Sequence, residues 1–126
     1  MTLSELNLDE RALMIGLFKL VIGTDQKLSG EESAALLRVA DELGRAEFIE
    51  ARQEAQARFT TTGSIRMATA DLDRQAAREL IYDRVFQVAS TEGLQSRERE
   101  ELDWLGDTWE LPRDRVTGAR LVRDRR

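Results

Sequence analysis

The apolar residues of this chain recur at three- and four-residue spacing along most of its length, and nowhere do they alternate in twos long enough to build a strand. Met14, Leu17, Phe18 and Val21 make one stripe, widened by Leu13 and Leu20. Leu36, Val39, Ala40 and Leu43 make a second, and Phe48, Ala51, Ala55 and Phe59 a third. Ile81, Val85, Val88 and Ala89, flanked by Leu80, Tyr82 and Phe86, make a fourth; Leu102, Leu105 and Trp109, with Trp104 beside them, make a fifth. A helix with one apolar face cannot bury it alone, so these helices must share a core. The expected fold is all-α: a single-domain helical bundle of about five to seven helices, a size that suits 126 residues.

Local signals mark the helix ends. Asn7 or Asp9 can cap the first helix, and Ser29 stands three residues before Glu32 at capping-box spacing. Gly44 can close the second helix in the left-handed conformation. The stretch "TTTGS", Thr60 to Ser64, stops the third, being β-branched and glycine-bearing. Residues 64–70 read either as a further helical turn or as a loop. Asp71 or Asp73 is expected to restart the helix, Ser96 to cap the next, and Pro112 to open a short last one. Glu54 and Arg58, four apart, are expected to pair on a solvated face.

Composition removes several chemistries. The chain has no cysteine and no histidine, which excludes disulfides, thiolate nucleophiles, the usual zinc sites and Ser-His-Asp triads. It shows no glycine-rich phosphate loop and no cofactor fingerprint, so it does not read as an enzyme and requires no cofactor. No apolar run approaches the roughly 20 residues a membrane helix needs. The opening "MTLSELNLDE" lacks a signal-peptide pattern, so a cytoplasmic protein is expected. Net charge is −5, yet residues 113–126 hold six arginines and two aspartates, a net of +4, which leaves −9 for the rest. An acidic body argues against nucleic acid as the main partner. The basic tail has two readings: a short helix docked through Val116, Ala119 and Val122 and then fraying, or an arm for anionic membrane, nucleic acid or another copy.

One pattern occurs twice. At an offset of 67 positions, Asp25 falls on Glu92, Ser29 on Ser96 and Glu31 on Glu98, with Met14 on Ile81 and Phe18 on Val85 upstream. The two units are "VIGTDQKLSGEESAALLRVADELG", residues 21–44, and "VASTEGLQSREREELDWLGDTWEL", residues 88–111. Each is an apolar helix, an acidic turn, a serine and a second apolar helix, so the bundle is expected to be built from two pseudo-repeated hairpins.

This doubled unit resembles the TerB-like, tellurite-resistance-associated helical domains, a family related to the N-terminal domain of DjlA co-chaperones. The likeness spans roughly residues 10–112. The acidic-glycine pair of the family is split here, with Asp25 followed by Gln26 in one unit and Glu92 followed by Gly93 in the other. Arg97 and Arg99 flank Glu98 where the family more often has acids. The resemblance implies a TerB-like domain over 9–112, preceded by an N-terminal extension, 1–8, and followed by the basic segment. It implies a non-enzymatic interaction module in bacterial stress or tellurite-resistance-associated processes.

The acidic turns support three readings. Glu31, Glu32 and Glu98 can be helix-start charges that meet the positive end of the helix dipole. Together with Asp25, Glu92 and Trp104 they can form a surface for another protein, a homo-oligomer included. Asp25, Glu31, Glu92 and Glu98 can also ligate calcium or magnesium, which take oxygen donors. An EF-hand is excluded, since a loop started at Asp25 would have Lys27 third and Leu36 twelfth. Trp104 itself reads as an interface anchor or as a half-buried ring packed on a neighbouring helix.

Overall fold

The first helix is buried on every side. In the computed structural model, which describes residues 1–22, 30–91 and 93–111, α1 (Leu8–Ile22) runs through the middle of the bundle, and every residue from Ala12 to Phe18 is buried. The sequence suggested one stripe; Ile15, Gly16 and Ile22 lie off it and are buried all the same. A helix apolar all round belongs in the centre of a bundle. Around it stand α2 (Gly30–Leu43), α3 (Arg45–Arg58), α4 (Thr62–Asp71), α5 (Gln75–Ala89) and α6 (Ser96–Thr108). No strand occurs among the described residues. Full burial of a large aliphatic side chain such as Leu17 or Met14 contributes about 1.5–3 kcal/mol.

Small residues set the closest approach. α1 packs most extensively against α3, where Ala51 and Ala55 are buried alongside Ala12. At Gly16 a Cβ would stand 3.0 Å from the ring of Phe59, so a side chain there would press on the aromatic that closes the end of α3. The core also takes Leu3 and Leu6 from the stretch set apart as an N-terminal extension, where a short 3-10 turn spans Leu3–Glu5.

The two units of the sequence repeat do not pack alike. α5 and α6 lie against each other, as a hairpin should. α2 instead packs on α3 and α5, while α1 packs on α3, α5, α4 and α6. The partners are chosen by apolar faces, and α1 offers one in every direction.

Several helix ends differ from the sequence reading by a residue or more. Asn7, not Asp9, caps α1: its Oδ1 accepts from the Glu10 N–H at 2.8 Å, and Glu10 Oε1 accepts from the Asn7 N–H at 2.9 Å. Gly44 adopts φ +111° and serves as the hinge between α2 and α3. Residues 64–70 are helical, because Thr61 Oγ1 accepts from the Ser64 N–H at 3.1 Å and starts α4. The residues that stop one helix thus begin the next. α5 starts after Arg74, with neither Asp71 nor Asp73 capping it. Gln95 rather than Ser96 precedes α6, its N–H donating to Glu98 Oε1 at 3.1 Å. The expectations for Ser29, Pro112 and the basic segment lie outside the described residues.

Candidate functional site

Two places deserve weighing, at different parts of the bundle. The first is where the acidic stretches of the repeat begin and end. Arg97, in the first turn of α6, donates to the carbonyl of Val21 at 2.7 Å and of Leu20 at 2.8 Å. These carbonyls sit in the last turn of α1, where backbone oxygens lack helical donors and the dipole is negative. A guanidinium fork answers both needs. The start of α6 is thereby held at the end of α1, so the second acidic unit touches the helix that leads into the first.

The candidate residues take up distinct positions on α2 and α6. Glu98 is only 6% exposed and its carboxylate closes the start of α6 on the Gln95 N–H. Glu31 is exposed and Glu32 half-buried, both in the first turn of α2. Asp25 and Glu92 lie outside the described residues. Among the described residues no group of three or more acids is placed to hold a metal ion. Trp104 is half-buried on α6, with the Arg66 guanidinium 4.3 Å above its ring centroid. Arg66 is fixed in turn by Glu101, at 2.9 and 3.0 Å. The ring is therefore packed on a side chain of α4.

The second place is a cleft of about 450 Å³ bounded by the start of α1, the end of α3 and the α4–α5 connection. Sequence reasoning did not find it. Its floor is apolar, made by Leu13, Phe59, Ala68 and Leu72. Its walls are ionic. Arg74 clasps the buried Glu10 with Nη2 2.6 Å from Oε1 and Nε 2.9 Å from Oε2, and reaches the Glu5 carbonyl at 3.2 Å. Arg58 bridges Asp9 and Glu54, the latter at 2.6 Å, so the expected Glu54–Arg58 pair is present. Asp71 and Asp73 stand exposed on the rim.

The titration of these groups follows from their neighbours. The Arg74 guanidinium holds the Glu10 carboxyl below its ordinary value; burial opposes this, and the Asn7 N–H assists. Arg74 is raised by the same bond, and Arg58 by Glu54 first and Asp9 second. These are saturated pairs. They join the start of α1 to α3 on one side and to the α4–α5 connection on the other.

The sequence signals near this cleft, a cap at Asn7 and the Glu54–Arg58 spacing, announce a helix start and a solvated helix face and nothing of Arg74. Comparison with family models, with curated proteins and with solved structures gives no match to this chain.

Proposed function

We propose that this chain is a non-enzymatic protein-interaction module of the TerB-like type, acting through the acidic surface that its repeated turns create. The observation that carries this reading is the Arg97 contact with the Leu20 and Val21 carbonyls, which sets the start of α6 at the end of α1. On this reading, negative side chains from two distant parts of the sequence share one pole of the bundle. Glu31 and Glu32, in the first turn of α2, supply part of that charge, and Asp25 and Glu92 are the further candidates. The setting, bacterial stress or tellurite resistance, rests on the resemblance of residues 21–44 and 88–111 to that family. Among the described residues no helix is long and apolar enough to cross a membrane.

The cation reading of the same carboxylates is the lesser one. Glu98 spends its carboxylate on the α6 cap, and a guanidinium already occupies the junction. The test replaces Asp25, Glu31, Glu32 and Glu92 together by Ala and leaves the capping Glu98 in place. Proteins recovered with the wild type but not with the variant, at equal helicity by circular dichroism, support the module. Identical recovery from both overturns it.

A further inference from the structure

The charges of the cleft do not cancel evenly. Arg58 is engaged by Asp9 and Glu54, and Arg74 by Glu10. Asp71 and Asp73 enter no salt bridge among the described residues and stand at the rim above the apolar floor. The surface therefore presents negative charge beside the half-buried Phe59 and Leu72, a combination that fits a cationic segment carrying aliphatic side chains.

The chain supplies such a segment, and it departs close by. Leu111 is the last described residue before it. Two residues earlier, the Trp109 indole donates to the Thr69 carbonyl at 2.7 Å. Arg78 donates to the Leu72 carbonyl at 2.8 Å and, more weakly, to the Trp109 carbonyl at 3.5 Å. One arginine side chain thus spans from the departing chain to a wall of the cleft. Residues 113–126, "RDRVTGARLVRDRR", carry a net of +4 with Val116, Leu121 and Val122 between the arginines. At about 3.3 Å per extended residue, these residues span up to about 46 Å, enough to reach across a domain whose radius of gyration is about 13 Å.

We propose that residues 113–126 dock in this cleft of their own chain, arginines against Asp71 and Asp73 and aliphatic side chains against Phe59 and Leu72. This proposal goes beyond the interaction module and does not depend on it. Its consequence is that the basic segment is masked at low ionic strength and released by salt or by a more acidic competitor.

The chain has no cysteine, so Thr117→Cys gives the full-length protein a single attachment point for a nitroxide. At about 0.05 M salt the amide signals of Ala68 to Arg74 should lose most of their intensity, and they should recover at about 0.5 M, where screening is several-fold shorter in range. Asp71→Asn with Asp73→Asn should restore most of the lost intensity at low salt; both side chains are exposed, so the bundle keeps its fold. Broadening centred instead on Glu79, Asp83, Asp103 and Asp107, or none anywhere, overturns the proposal. So does broadening that survives both salt and the double substitution. Broadening that appears equally in a nitroxide-free labelled chain mixed with the spin-labelled one would assign the segment to a second copy and overturn docking within one chain.

Discussion

Arg74 meets Glu10 across 64 positions of sequence, with two donor–acceptor contacts at 2.6 and 2.9 Å. The arginine precedes α5 and the glutamate belongs to the first turn of α1, so this pair fastens the start of the central helix to the start of the fifth. The carboxylate is buried while the guanidinium keeps part of its surface in water.

This pair should govern part of the acid sensitivity. Glu10 titrates below its ordinary 4.5 in the folded chain. The unfolded chain therefore binds the proton first as pH falls, and the stabilisation is complete above that ordinary value and lost as pH falls through the lower, folded one. Glu10→Gln should destabilise by about 1.5–3 kcal/mol at pH 7, the range for hydrogen bonds to charged groups. Thermal melts from neutral to strongly acid pH should show the gap between wild type and variant closing below pH 4.5. A gap of constant width would assign the loss to packing alone.

Arg97→Met should weaken the bundle by about 1–2 kcal/mol, toward the low end for charged hydrogen bonds because the residue is exposed. Arg97→Lys should fall between, since an ammonium cannot fork across two carbonyls. Urea denaturation would give both values. The amides of Leu20 to Ile22 should shift most in the variant spectra.

Trp109→Phe tests the hydrogen bond that ties the end of α6 to α4. The indole is fully buried and donates to Thr69 O at 2.7 Å. Removing that donor leaves the carbonyl with only the long 3.4 Å bond from the Leu72 N–H, at a cost of about 1–2 kcal/mol. Equilibrium unfolding by circular dichroism should read it, with Trp104 emission as a second probe.

Calcium or magnesium at millimolar concentration should leave the melting temperature unchanged, because one of the four proposed ligands, Glu98, is spent on a helix cap. A dose-dependent rise would reinstate the cation reading of Asp25, Glu31 and Glu92.

Much of the architecture is legible locally. The stripes on α3, α5 and α6 are buried or half-buried as spaced, Gly44 turns where a left-handed residue is needed, and the chain breaks at Thr60. These features follow from side-chain period and backbone sterics, which act within a few residues. What escaped depends on docking. Ile15 and Ile22 look surplus to a stripe until α1 is known to be surrounded. Arg74 looks like a surface cation until α5 is placed beside the start of α1. The acidic turns were conspicuous as sequence, yet Glu98 is committed to a cap, whereas the cleft drew no attention because its walls come from three separate helices and their links.

The encirclement of α1 also orders how the molecule opens. A rod enclosed by its neighbours cannot expose its amides until several of them have moved, so deuterium should enter Ala12 to Phe18 last and at a rate set by complete unfolding. The periphery can loosen to admit a partner while this spindle holds. Recognition by such a molecule is then written on its rim, and the seven residues at its axis stay silent in every bound form.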